Sequence, residues 1–120
     1  MKQTMFVPWL AESLNKKNKF VNRSANKSQK EGRLISRITA IKNNVEPVND
    51  PIDLIFSPVL SKKSRAFDCI NYAPTCKAIE DGLVDAGILK NDSNKYVRSI
   101  TIEAPTRGIL NGCYVTIEKH

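Results

Sequence analysis

The sequence predicts an α+β fold in which a small mixed sheet of about four strands packs against two helices. Three observations carry this prediction: segments of alternating hydrophobicity, two longer segments with helical periodicity, and strong turn signals between them. The predicted order of elements is β-α-β-α-β-β. With 120 residues, the chain is long enough for one hydrophobic core and too short for two, so residues 1–120 are predicted to form a single domain.

The first half of the chain predicts a strand, a basic loop and a helix. Residues 4–10 are apolar enough for a short strand, which a proline ends or confines to the sheet edge. From Ser28 the pattern becomes helical, with Leu34, Ile38 and Ile41 along one stripe. An apolar stripe of this kind usually faces the core.

The second half predicts a strand, a helix and two final strands. Residues 52–59 alternate between apolar and polar positions, as in a half-buried strand. Pro74 suits the first turn of a helix, and Gly87 is placed to cap its C-terminus. Residues 96–103 and 113–117 alternate again, and we expect them to pair as a hairpin.

The net charge of +7 is concentrated in the first third of the chain. Residues 1–40 contain nine Lys or Arg against two Glu, whereas residues 41–120 contain ten of each sign. Such a field attracts polyanions, most often nucleic acid, although a solvated basic face is the alternative. The predicted DNA-contacting residues are basic and lie in two loops and the segment leading to the first helix: Lys16, Lys17, Lys19, Arg23, Lys62, Lys63 and Arg65.

Composition excludes several other classes of protein. Three cysteines without CxxC spacing and a single histidine, His120, provide no zinc ligand set. The odd cysteine count disfavours a structural disulfide, so a reducing cytoplasm fits best. No stretch approaches the ~20 apolar residues of a membrane span, and the N-terminal apolar stretch is too short for a signal peptide. We therefore expect a cytoplasmic protein with no membrane partner.

The segment from Arg65 to Asp92 carries residues suited to phosphodiester hydrolysis. Mg²⁺ or Mn²⁺ held by carboxylates in an open site neutralises a phosphate and activates water. Asp68 follows a strand and loop and Asp92 follows the helix cap, and such ends can converge on one edge of a sheet. Lys77, on the first turns of the helix, is placed to bind the scissile phosphate or the developing charge.

Each of these residues also has a purely structural interpretation. Asp92 could be a turn residue, and Asp68 could cap the segment before the helix. Lys77 could form an ordinary i,i+4 ion pair with Asp81, and Glu80 is expected to be a solvated helix charge. Residue types alone favour the structural interpretation.

The same segment resembles the central motif of the RusA-type Holliday junction resolvases. That motif has Asp-x-Asp-Asn, a helix carrying a lysine, Asp-Gly-Leu, Ala-Gly and an acidic pair. An early Ser-x-Asn region precedes it, so the resemblance covers essentially the whole chain. The matching segments are Ser13-Leu14-Asn15, Asp68-Cys69-Ile70-Asn71, Pro74-Thr75-Cys76-Lys77, Asp81-Gly82-Leu83, Asp85-Ala86-Gly87 and Asn91-Asp92.

The resemblance implies a metal-dependent endodeoxyribonuclease that resolves Holliday junctions or other branched DNA and is encoded by a phage or prophage. It implies Mg²⁺ or Mn²⁺ ligation by Asp68 and Asp92, assistance at the phosphate by Lys77, and a carbonyl oxygen from Asn71. It also implies a homodimer, which would place one site on each of two symmetric scissile phosphates in a four-way junction.

Two positions depart from the motif. Ile70 replaces the second Asp, and Asn91 replaces the first member of the acidic pair. Isoleucine cannot coordinate a hard cation, but Glu80 or Asp81 could compensate if the helix turned them inward. The alternative hypothesis is a catalytically inactive relative that binds branched DNA or a protein partner. A third is a small basic regulator with no preference for branched DNA.

Overall fold

The described part of the chain forms a mixed sheet and two helices, which confirms the predicted α+β class. The computed structural model describes residues 2–11, 21–62 and 65–120, except for the side chains of residues 21–26. None of the helices in these ranges is long and apolar enough to cross a bilayer. The elements in chain order are β1 (Lys2–Val7), α1 (Val21–Lys42), β2 (Ile52–Ser61), a 3₁₀ turn (Cys69–Tyr72), α2 (Ala73–Asp85), β3 (Val97–Ile102), β4 (Thr106–Gly108) and β5 (Gly112–Lys119).

β2 is the central strand of the sheet. The strand order is β1-β5-β2-β3, and the short β4 pairs with the end of β2. β2 runs antiparallel to β5 and parallel to β3 and β4. The hairpin expected between the last two long strands is therefore wrong. The physical reason is that α2 provides the crossover that parallel pairing of β2 with β3 requires, while β5 inserts between β2 and β1.

The helices cover one face of the sheet. Met5, Val115 and Phe56 lie side by side in the register of β1, β5 and β2, and all three are buried. They belong to one core cluster that also includes buried side chains of both helices. On the other face, the rings of Phe6 and Tyr114 are 4.9 Å apart, and Tyr114 is exposed. The sheet therefore has one dry face and one face open to solvent.

α1 and α2 pack through small residues. A Cβ added to Gly82 of α2 would lie 2.5 Å from the backbone oxygen of Arg33 and 2.5 Å from the Cβ of Ser36. The buried Ser36 hydroxyl donates a 2.9 Å hydrogen bond to the carbonyl oxygen of Ile79. The Arg33 guanidinium donates two hydrogen bonds to Asp85, one of them 2.7 Å long. Close backbone approach and directional bonds thus fix how α2 lies on α1.

The buried face of α1 is not the predicted apolar stripe. Leu34, Ile38 and Ile41 are 53%, 53% and 56% exposed. A Cβ on Gly32 would lie 2.2 Å from the ring of Trp9, so only glycine allows this close contact. Because the buried residues of α1 are small, hydrophobic periodicity does not identify them as the core-facing side. The buried positions among residues 27–42 form a face of small side chains, composed of Ser28, Gly32, Ser36, Thr39 and Ala40.

The limits of α2 follow the sequence signals. Pro74 lies in the first turn, where its missing N–H costs no hydrogen bond. At the other end Gly87 adopts φ of 77°, the left-handed conformation that favours glycine. The amides of Gly87 and Ile88 donate to the carbonyls of Val84 and Leu83, both at 3.0 Å, which is the Schellman pattern. The predicted cap is confirmed.

We predict that Gly82→Ala destabilises the protein by about 2 kcal/mol. The added Cβ meets backbone that cannot move aside, and overpacking outweighs the better helix propensity of alanine. Urea denaturation measures the change. Gly87→Asn is the control, since asparagine tolerates a left-handed conformation and nothing lies within 4 Å of that position. Equal stability of the Gly82→Ala variant and the wild type would contradict the close approach of the helices.

Candidate functional site

Three carboxyl side chains meet around Lys77. Its ammonium nitrogen lies 2.5 Å from Oδ2 of Asp92, 3.1 Å from Oδ1 of Asp81 and 3.8 Å from Oε1 of Glu80. We call these four residues the Lys77 cluster. Two of the predicted site residues, Lys77 and Asp92, are therefore brought together although they are fifteen positions apart in sequence. The expected i,i+4 pair with Asp81 is also present.

The cluster joins the middle of α2 to the loop that follows this helix. The backbone amide of Ala11 donates a 2.9 Å hydrogen bond to the hydroxyl of Thr75, which ties the end of the first strand segment to the first turn of α2. In the loop, the side-chain oxygen of Asn91 accepts a 2.8 Å hydrogen bond from the amide of Ser93. The side-chain hydrogen bond that stabilises this turn is thus made by Asn91 and not by Asp92. The Asp92 carboxylate accepts a hydrogen bond from Lys77 instead.

Glu80 is buried, contrary to the expectation of a solvated helix charge. The residue is only 6% exposed, because this part of α2 packs against the core. Burial raises the pKa of its carboxyl, and the nearby Lys77 ammonium opposes that rise. Its position three residues after Lys77 was visible in the sequence, but the inward direction of the side chain depends on how α2 sits on α1.

The pKa values of Lys77 and Asp92 both shift in the direction that favours the charged form, unlike that of Glu80. The hydrogen bond from Lys77 lowers the pKa of Asp92. The same bond is the largest cause of a raised pKa for Lys77, with a further contribution from Asp81. The Lys77–Asp92 hydrogen bond thus favours the charged forms of both partners, and two further carboxyl groups lie beside them.

The oxygen donors of the cluster fit a hard divalent cation. One carboxylate oxygen from each of Glu80, Asp81 and Asp92 lies within 4.8 Å of the other two. Oxygen-only donor sets of this kind suit Mg²⁺ or Mn²⁺. Among the residues that the structure describes, Asp68 is not part of this carboxylate group. Metal ligation by Asp68 remains a prediction from the resemblance.

Asp68 lies on the surface, just before the 3₁₀ turn. Its backbone oxygen accepts a 2.9 Å hydrogen bond from the amide of Asn71. Its carboxylate makes no capping hydrogen bond to the turn, so a capping role does not account for this residue. Ile70, next along the turn, is 71% exposed. A side chain at position 70 is thus directed to solvent and not into the core.

Asn71 and Arg65 line a cavity of about 270 Å³ beside the 3₁₀ turn. The hydroxyl of Tyr72 accepts a 3.2 Å hydrogen bond from the amide of Phe67, which holds the wall of this cavity. The 3₁₀ turn leads directly into α2, the helix that carries Lys77, Glu80 and Asp81 of the cluster. The lining residues are Leu10, Ala11, Leu60, Arg65, Phe67, Asn71, Tyr72 and Asn111.

Few of the predicted DNA-contacting residues can be placed. Lys62 is exposed and lines a second, larger cavity of about 550 Å³ together with Arg107 and Ile109. Arg65 is exposed at the first cavity. The remaining predictions fall outside the described side chains: Lys16, Lys17, Lys19, Arg23 and Lys63.

Comparison with known proteins adds no assignment. No protein-family model matches the sequence, and no curated protein matches it at a significant level.

We predict that Glu80→Gln stabilises the protein at pH 7 and leaves its stability unchanged near pH 4. The folded state binds the Glu80 proton more tightly than the unfolded chain, so wild-type stability falls as the pH rises from the ordinary value of 4.5 through the raised pKa. The neutral glutamine escapes this loss. Thermal melts of both proteins at several pH values, with the exposed-site variant Glu31→Gln as a charge control, measure the effect. A stability difference that does not depend on pH would contradict the burial of a titrating Glu80.

Proposed function

We propose that this protein is a RusA-like, metal-dependent endodeoxyribonuclease that cleaves Holliday junctions or other branched DNA. The proposal includes Mg²⁺ or Mn²⁺ as the cofactor and a homodimer as the active form. It also includes a phage or prophage origin and action on DNA in the cytoplasm of the host. The resemblance of the segment from Asp68 to Asp92 supplies the class of reaction.

One observation carries the proposal: the Lys77 ammonium and the Asp92 carboxylate are 2.5 Å apart. The resemblance names both as site residues, and the fold brings them together from different elements. A random surface lysine has no reason to meet the single loop aspartate that the motif selects. Two further carboxylates in the same place support a site and not an isolated ion pair.

The chain's own residues divide the chemistry between them. A bound divalent cation would supply charge neutralisation and an activated water, with Asp92, Asp81 and Glu80 as the residues able to hold it. Lys77 would then be released from Asp92 and would bind the scissile phosphate. Arg65, exposed at the cavity beside the 3₁₀ turn, would hold another phosphate through a contact that does not depend on base sequence.

A specific observation supports the alternative, an inactive relative that binds branched DNA or a protein partner. Ile70 stands where the motif has a carboxylate, and its side chain is 71% exposed. Core packing therefore does not explain the isoleucine. Loss of selection for a metal ligand at this position would explain it, and the alternative predicts binding without cleavage.

The first test is cleavage and binding of a labelled four-way junction in Mg²⁺, in Mn²⁺ and with chelator. We expect paired nicks that require metal and fall by about a hundredfold or more in Asp92→Asn, since a metal-holding carboxylate is lost. Asp50→Asn is the matched control, because Asp50 is an exposed aspartate paired with Lys119 outside the Lys77 cluster. Junction binding without nicks in any metal would select the inactive relative, and no preference for junctions over duplex would overturn both hypotheses.

The second test restores the missing carboxylate. Because position 70 is exposed, Ile70→Asp should change the free energy of unfolding by less than about 0.5 kcal/mol. We expect it to increase cleavage or lower the Mg²⁺ concentration needed, while Ile70→Asn, which adds polarity without charge, does neither. The rate as a function of Mg²⁺ concentration measures the change. An Ile70→Asp variant no better than Ile70→Asn would show that this position is not a ligand position in this chain.

A further inference from the structure

α1 carries an apolar stripe that the fold leaves uncovered. Leu34, Ile38 and Ile41 are each more than half exposed and are spaced four and three residues apart. This spacing places them in one line along the helix, about 10 Å long. Single exposed aliphatic residues are common on protein surfaces, but three aligned on one helix are typical of a contact surface.

The exposure of the stripe follows from tight packing on the other side of the helix. Gly32 lies against the ring of Trp9, and Gly82 of α2 lies against the backbone of α1. Rotating α1 to bury the stripe would break both contacts and expose Ser36, which is fully buried and hydrogen-bonded. The stripe therefore cannot be withdrawn into the core by a small adjustment.

Positive charge flanks the stripe. Helical geometry places Lys30 and Arg37 along one side, Lys42 on the other, and Lys27 two turns before Leu34. All four are exposed, and no ion pair joins any of them to another residue in the described ranges. Glu31 is the single acidic residue of α1, and Asp85 of α2 interacts electrostatically with Arg37, so the surface is apolar at its centre and mainly positive at its margins.

We propose that the α1 stripe binds an acidic amphipathic helix of another protein. An apolar line with i, i+4, i+7 spacing packs against the apolar line of a partner helix. The basic margins favour a partner that has acidic residues on both sides of its apolar line. The contact is small, so its affinity belongs in the micromolar range of transient complexes, about 10 µM.

The charges disfavour a second copy of this chain as the occupant. In a two-fold antiparallel pair of α1 helices centred near Ile38, Arg37 of one copy would lie close to Arg37 of the other. On the other side of the stripe, Lys42 of one copy would lie nearer to Glu31 of the other, so a second copy would satisfy only some of the basic residues at the margins. Like charges in such positions oppose association, whereas glutamates of a partner would be attracted to all of them. The inference uses no residue of the Lys77 cluster, so it stands or falls independently of nuclease activity.

The probe is a fluorescent three-heptad peptide with leucine at the core positions and glutamate on both flanks. Its control has lysine in place of every glutamate. Titration with the full chain, measured by fluorescence anisotropy in nucleic-acid-free buffer, should show binding of the acidic peptide alone, weakened by salt. Leu34→Gln/Ile38→Gln should reduce the affinity about tenfold or more, and these exposed positions should leave the thermal melt little changed.

A second variant keeps the apolar stripe and changes only its margins. Lys30→Glu/Arg37→Glu should weaken binding of the acidic peptide and favour the lysine peptide. This reversal supports the proposal even if the glutamine variant folds poorly. Binding of neither peptide, or equal binding of both, would overturn it. So would a dimer in sedimentation velocity that Leu34→Gln/Ile38→Gln dissociates, or displacement of the peptide by duplex DNA, which would assign the cations to nucleic acid.

Discussion

The close approach of α1 to α2 is the constraint on which the rest of the molecule depends. Glycine at position 82 and serine at position 36 let the two backbones come together, and any larger side chain at Gly82 would meet backbone atoms. This geometry sets the rotation of both helices at once. It turns the small-residue face of α1 inward, leaves its large aliphatic residues outside, and determines which side of α2 faces the core.

The packing of α2 on α1 also determines which carboxyl group of the Lys77 cluster is buried. Lys77, Glu80 and Asp81 share α2, but only Glu80 is turned inward, where burial disfavours its charge. The set is unequal, because a buried carboxylate lies next to an exposed ammonium, one half-buried carboxylate and one exposed carboxylate. The exposed members can exchange partners with solvent or ligand, while the buried one stays in place. Carboxyl groups with unequal burial and shifted pKa values are common at functional sites, and burying a charged group lowers the stability of the fold.

Sequence patterns predicted the helices and strands well, but they predicted strand pairing and helix packing poorly. The strands, the second helix and the glycine cap at Gly87 each have local signals, and each was found. The hairpin prediction failed because strand pairing depends on the crossover through α2, which no local pattern encodes. The first helix was also found, but the prediction of its buried face failed because glycine and serine gave no signal of burial, although they allow the two helices to approach closely. The meeting of Lys77 with Asp92 could be anticipated from the resemblance, whereas the burial of Glu80 could not.

The pairing of the first strand with the last also affects how the protein folds during synthesis. Lys2 lies opposite Glu118 and Val7 opposite Cys113, so β1 finds its sheet neighbour only after the ribosome has made β5. Until then the nascent chain must keep an unpaired apolar strand from aggregating, and closure of so long a loop slows folding. The end of β5 lies beside the start of β1, as in a hairpin. A circular permutant that joins them by a short turn would keep every strand pairing and make the slowest one local.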